Sequence, residues 1–247
     1  HGTGDWSGRI VSLLPVTWVQ DWPIPGEVLS QNIGTMKWDG KIPFKHTEKL
    51  SIKRSDDFDE DCLAPQWQWN YQPRKDYFSL TERPGWLRLK AYRPLETNNL
   101  LKAGNTLTQR TFRKQNNDVT IKMDISNMQD GQKNGLCHFS SQHSAIGIVK
   151  EEDACYLEYR KNGNITKGIQ IHSEFVWFRT EWGMDGKSQY YYSLDGDNFL
   201  PFGEKYQLTW GNYRGDRIGI YCFNDKKETG SVDVDCLLYT SDAADEL

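Results

Sequence analysis

The stretch Gln66-Trp67-Gln68-Trp69-Asn70-Tyr71, introduced by Ser55-Asp56-Asp57-Phe58, alternates strictly between amide and aromatic side chains. Successive side chains of a strand point to opposite faces, so Gln66, Gln68 and Asn70 fall on one side and Trp67, Trp69 and Tyr71 on the other. Three rings on one face predict an anchor for a sheet-on-sheet core. Three amides on the other predict a polar row facing water, a groove or a second domain.

Downstream the chain reads as further strands. Tyr77–Leu80 leads to a turn at Arg83-Pro84-Gly85 and then to Trp86–Ala91, where Trp86, Arg88 and Lys90 oppose Leu87, Leu89 and Ala91. Pro-Gly between two alternating runs is a hairpin signal. Apolar or alternating runs follow at 106–111, 119–125, 135–139, 144–149, 155–160, 175–180, 189–194, 206–210, 217–223 and 231–235, divided by turns such as Lys161-Asn162-Gly163-Asn164 and Asp195-Gly196. About a dozen strands with short turns and no helical period predict an all-β sandwich. Upstream, residues 1–44 hold two short apolar strands around Gln20-Asp21, too little to bury a core alone. Residues 45–54 are charged and aperiodic, as in a linker.

Composition narrows the function classes. The formal charge of −4, without a long basic run, argues against nucleic acid as a partner. No apolar run reaches the ~18 residues of a membrane span. The five cysteines are scattered and contain no CxxC pair, which argues against zinc and points to buried free thiols. They leave the compartment open, with a periplasmic or extracellular setting favoured over a cytoplasmic one. Ten Trp, twelve Tyr and ten Phe suit either a sandwich core or sugar-stacking faces, and the core accounts for most of them. The chain starts at His1 without Met, and Cys236–Leu247 resembles translated sequencing-adapter read-through. Native sequence is therefore expected to stop near Asp235, and the final Asp-Glu-Leu is not read as a retention signal.

Asp56-Asp57-Phe58, Gln66–Asn70, Arg83–Leu89, Asn105–Thr111 and Tyr192–Gly196 together resemble the C-terminal concanavalin A-like (jelly-roll) sandwich of glycoside hydrolase family 43, over about 55–235. Tyr71 departs from it, since relatives often carry His there. Gly8-Arg9, Leu14–Trp18 and Asp21-Trp22-Pro23 resemble the end of that family's five-bladed propeller. The resemblance implies four segments: an incomplete propeller remnant at 1–44, a linker at 45–54, the sandwich at 55–235 and a non-native tail at 236–247. It also implies a parent β-xylosidase or α-arabinofuranosidase acting on xylo- or arabino-oligosaccharides with inversion. Inversion needs a base and an acid roughly 6.5–9.5 Å apart, and the family adds a third carboxylate. Relatives supply all three from earlier blades. Asp5, Asp21 and Asp39 match none of those motifs, so no catalytic residue is expected here and the chain alone is expected to be inactive.

Four residues are implied at the pocket. Arg9 follows the family's Gly-Arg step and is expected to donate to sugar hydroxyls. Trp6, in the same loop, is expected at the pocket mouth. His1 stands where relatives carry a His near a bound calcium or its waters. Met128 lies in Ser126–Asn134, the segment expected to extend over the propeller and close the pocket. Asp56, Asp57, Asp233 and Asp235 bracket the sandwich, either as strand-edge acids or as calcium ligands. Trp177, Trp182, Tyr190, Tyr191 and Tyr192 offer a stacking face, with alternation placing one side in the core. The competing reading is an independent xylan-binding module, and a weaker one is a structural brace.

Overall fold

The structure, a computed structural model, describes residues 5–9, 13–35, 37–41, 53–211 and 214–241. It divides into two compact units, one formed by residues 53 onward together with the 5–9 segment, the other by residues between 10 and 52. Most of the expected 45–54 linker lies outside the described residues.

The smaller unit contains two hairpins. β1 (Val16–Val19) and β2 (Trp22–Pro25) pair around Gln20 and Asp21, whose φ angles are 51° and 63°. Positive φ at both positions is what a two-residue type I′ connection requires. β3 (Val28–Ser30) pairs with β4 (Ile33–Gly34). Ile24 is buried, whereas Trp18, Trp22, Leu29 and Ile33 are each more than half exposed. The described residues of this unit form no core of their own.

The larger unit is an all-β sandwich. Its strands are β5 (Gln68–Trp69), β6 (Phe78–Ser79), β7 (Leu87–Lys90), β8 (Thr106–Arg110), β9 (Asn116–Asp124), β10 (Gln132–Phe139), β11 (His143–Glu151), β12 (Ala154–Lys161), β13 (Asn164–Ile171), β14 (Phe175–Gly183), β15 (Lys187–Ser193), β16 (Leu200–Pro201), β17 (Tyr206–Gln207), β18 (Arg217–Asn224) and β19 (Ser231–Ser241). One sheet runs β13-β12-β11-β10-β18-β8-β5 and the other β16-β15-β14-β9-β19-β7-β6, with β17 beside β15. Alternation directs Val119, Ile121 and Met123 of β9, Val176 and Phe178 of β14, Leu136 of β10 and Ile218 and Ile220 of β18 into one core between the sheets. Each such side chain contributes roughly 1.5–3 kcal/mol when fully buried. The outer face of the first sheet carries a second cluster, in which Cys137, Phe139, Ala145, Tyr221 and Phe223 pack with Leu100 and Ala103. Strand β18 is consequently buried along its whole length.

Three elements differ from the sequence reading. The Gln66–Tyr71 alternation yields only the two-residue edge strand β5. Trp67 is buried and stacks on Phe58 at 5.8 Å, and Trp69 meets Phe78 at 4.7 Å, but Tyr71 is 40% exposed. The strand is cut short because Trp67 N–H closes a turn onto Ala64 O, while Asn70 turns its amide to the Leu101 and Ala103 carbonyls. Strand β13 lacks a predicted counterpart because it is an exposed edge without inward apolar alternation. Strand β19 passes the expected limit at Asp235. Its register against β9 shifts between Val234 and Leu237, as a bulge does, and pairing resumes with Leu237 and Tyr239 buried.

Candidate functional site

The Asp5–Arg9 segment docks at the end of the sandwich where β18 begins and β14 turns into β15. Gly8 N–H donates to Asp5 O at 3.0 Å, and the Asp5 carboxylate accepts from Ser7 N–H at 2.8 Å and Ser7 Oγ at 2.5 Å, which closes a tight turn. Trp6 projects from this turn into the main core and is 7% exposed. Its indole lies over Gly186, where an added Cβ would sit 2.5 Å from Trp6 Nε1. Asp216 N–H donates to Trp6 O at 2.6 Å, and Gly215, at φ +74°, approaches so closely that a Cβ would stand 2.5 Å from Gly8 N. Asp5 also pairs with Arg113 at 2.7 Å. Burial pushes the Asp5 carboxyl up, but the Ser7 bonds and Arg113 outweigh it and hold the group below the usual carboxylate range.

Behind the turn lies a sealed polar network. His138 Nδ1 faces Asp216 Oδ1 at 3.2 Å and His138 Nε2 faces Thr180 Oγ1 at 2.9 Å. Asp216 Oδ2 accepts from Thr209 N–H at 3.2 Å. Burial raises the Asp216 carboxyl, with the His138 bond opposing it. The Thr-His-Asp constellation has the outline of a nucleophile relay, yet all three side chains are fully buried and no substrate reaches them. Its role is to fix the start of β18 and, through the Asp216 backbone, the docked turn.

Guanidinium groups gather around the same end. Arg110 of β8 and Arg217 of β18 are direct cross-strand partners. Arg217 Nε donates to Thr108 Oγ1 at 2.8 Å and its Nη2 to Thr108 O at 3.2 Å. The backbone of Arg214 lies against Gly8. Beside the turn, an open groove of about 910 Å³ runs along the ends of β9 and β14, lined among others by Gln115, Asp118, Glu181, Asp185, Lys187 and Tyr191.

The structure brings only some of the expected site residues together. Arg9 leaves the docked turn and is exposed. Trp6 is beside it, but as a core anchor; its ring is inside the sandwich and not at a pocket mouth. Met128 is fully buried in the core, and its loop closes on itself through Met128 N–H to Ile125 O at 3.1 Å. That loop joins β9 to β10 at the opposite end of the sandwich. The eight residues of β10 at about 3.3 Å each put about 25 Å between the two ends, so Met128 and Arg9 lie at opposite ends of the sandwich. The segment that does meet the Asp5–Gly8 turn is the one entering β18, which sequence reasoning did not select. Its sequence signal is Gly211 and Gly215 bracketing Arg214 before a strong strand. His1 lies outside the described residues.

The remaining candidates are occupied by the chain itself. Asp56 bridges to Leu237, so the first and last segments do lie side by side. Three of the four acids have partners of their own: Asp56 accepts from Trp67 Nε1, Asp233 from Arg83 and Arg88, and Asp235 from Lys122. Among the described residues no three His, Cys, Asp or Glu side chains come together in a metal-binding group. Tyr190 and Trp182 are in the core. On the outer face, Lys122 lies within 5.1–5.8 Å of the Trp86, Phe175 and Trp177 rings, and Arg83 covers Trp86 at 3.7 Å.

Residues 55–240 match the family described as the β-xylosidase C-terminal concanavalin A-like domain. A β-xylosidase of Formosa agariphila is 35% identical, aligned over 95% of this chain and 43% of its own length. A putative β-xylosidase of Xylanibacter ruminicola is 31% identical over 86% of this chain and 39% of its own. A solved bifunctional GH43-CE protein of Bacteroides eggerthii superposes with a TM-score of 0.74 at 28% identity, covering 98% of this chain and 32% of that one. The chain thus spans less than half the length of these relatives.

Proposed function

Because the chain belongs to the β-xylosidase C-terminal concanavalin A-like family of glycoside hydrolase family 43, we propose that it serves a hemicellulose-degrading hydrolase, removing xylose or arabinofuranose residues with inversion. In this reading the carboxylates that activate water and protonate the leaving oxygen come from a propeller domain. The sandwich packs against that domain and helps close the substrate pocket. The observation that carries the reading is the docked Asp5–Gly8 turn. Trp6 and Asp5 tie it to the sandwich, while Arg9, the residue expected to meet sugar hydroxyls, is left exposed beside it. A planar fork of donors suits adjacent hydroxyls. Pocket closure is assigned to the segment entering β18, because that segment and not the β9–β10 loop shares an end with Arg9.

A self-standing xylan-binding module is supported less well, since Arg83 and Arg179 of the chain itself cover the Trp86 and Phe199 rings. The test is to assay 4-nitrophenyl β-xyloside with this chain alone and with the same chain joined to a family 43 propeller. The expected result is turnover only in the joined protein, lowered when Arg9 is replaced by Gln. Turnover by the chain alone, or an Arg9→Gln variant as active as its parent, defeats the reading. Strong retardation of residues 53–241 in xylan affinity electrophoresis would favour the binding module.

A further inference from the structure

Near the docked turn Arg113 pairs with Asp5 at 2.7 Å. Arg110, Arg214 and Arg217 pair with no carboxylate among the described residues. Arg110 and Arg217 stand directly opposite one another on β8 and β18, and like charges in that position cost stability. The acid nearest in sequence does not relieve them, because Asp216 is fully buried and turned inward to His138 and Thr209. Among the described residues the groups they contact are neutral: the Ser7 carbonyl, which accepts from Arg110 at 3.5 Å, the Thr108 hydroxyl and carbonyl, and Phe139 across from Arg217 on β10. Burial, then Arg214 and Arg110, push Arg217 down to about 10, which agrees with uncompensated charge. Arg217 is pinned by Thr108 and 7% exposed, whereas Arg110 and Arg214 are open to solvent.

We propose that Arg110 and Arg214, backed by Arg217, form a subsite for the anionic substituent of a xylose-containing oligosaccharide, a hexuronate carboxylate or a sulfate ester. Guanidinium forks match the paired oxygens of both groups, and a bound anion removes the repulsion among the three cations. The sugar part rests on the family-based reading above. The anion part rests on the arginine geometry alone. The two parts adjoin, because Arg9 follows Gly8, whose backbone lies against that of Arg214.

Calorimetric titration of the 247-residue chain at low salt tests this with three xylotetraoses: unsubstituted, glucuronate-bearing and sulfate-bearing. At least one charged tetraose is expected to bind about tenfold or more tighter than the neutral one, the scale of a charge-assisted hydrogen-bond pair. That advantage is expected to shrink as salt rises. Whichever of the two gains more identifies the anion. Arg110→Gln and Arg214→Gln, both at exposed positions, are each expected to remove most of the advantage, while Lys167→Gln on the far edge strand β13 leaves it intact. Equal affinity for neutral and charged tetraoses, no binding of any, or Arg variants that behave like the parent would overturn the proposal. So would a polyglutamate peptide that binds as tightly as the charged sugars, since the occupant would then be an acidic protein face. None of these outcomes bears on xyloside turnover by the propeller-joined protein, which is judged by its own assay.

Discussion

The two ends of β10 bury different things. Where the strand begins, the Ile125–Gly131 loop turns its large apolar side chains, Ile125 and Met128, into the core and ties its backbone both to itself and to neighbouring segments, as in Gly131 N–H to Lys150 O. Where the strand finishes, the Asp5–Gly8 turn also sinks an apolar side chain, Trp6, but leaves Arg9, Arg110 and Arg214 outside. A side chain that can reach the core is consumed by it, since burial of a Met or Trp is worth more than exposure beside a sugar. What stays available for recognition is the set of groups too polar to follow. The contrast separates an end that closes the fold from an end that presents chemistry.

The largest expected effect is at the closed end. Met128→Ala should cost about 2–5 kcal/mol in urea unfolding, as large-to-small core changes do, with sugar binding unchanged. A lowered sugar affinity at unchanged stability would reverse the assignment of the two ends. Next comes His143, opposite Phe139 at the presenting end. Burial and then Arg160 push its imidazole down to about 4 from an ordinary 6.5, and Nδ1 has no partner. The fold disfavours the charged form, so the unfolded chain takes up the proton first. Stability is full above about pH 6.5 and is lost as pH falls toward 4, by about 3 kcal/mol. Thermal melts across that range should show the loss, and His143→Gln should flatten it.

Smaller effects sharpen the role of the docked turn. Gly186→Ala places a methyl group against the Trp6 indole at a positive φ of 70°. A cost of about 1–3 kcal/mol follows from strain of that kind. Faster hydrogen exchange at the Asp216 amide and a shifted Trp6 emission would report undocking, whereas an unperturbed amide would mean that the turn is held elsewhere. Arg113→Ala removes an exposed ion pair and should cost less than about 1 kcal/mol. Its effect should appear mainly as weaker salt dependence of stability.

Much of the fold was legible from local patterns. Alternation located β7, β9 and the β6–β7 hairpin, because burial on one face writes period 2 into the residues, whereas β10, β11, β14 and β18 were found as apolar runs, and β10, β11 and β18 are buried on both faces. The Gln20-Asp21 turn was legible for a similarly local reason, a short break between apolar runs. The pattern misled at β5, where alternating residues form an edge of two residues, and at β13, which is exposed on both faces. The site was harder to read. Arg9 was selected by a motif, whereas the arginines beside the Asp5–Gly8 turn come from positions 110, 113, 214 and 217, with no shared spacing to betray them.

The amino-acid order by itself determined that this chain builds strands, that they stack as a sandwich, and which family it joins, because those properties follow from periodicity and short motifs. Which loop faces Arg9 was decided only in three dimensions. Strand direction fixes the end of the sheet at which each connection emerges, and that depends on the pairing of β10 with β11 and β18, residues far apart along the chain. The charge of the arginine cluster likewise exists only once β8 and β18 lie side by side and Asp216 is drawn inward to His138.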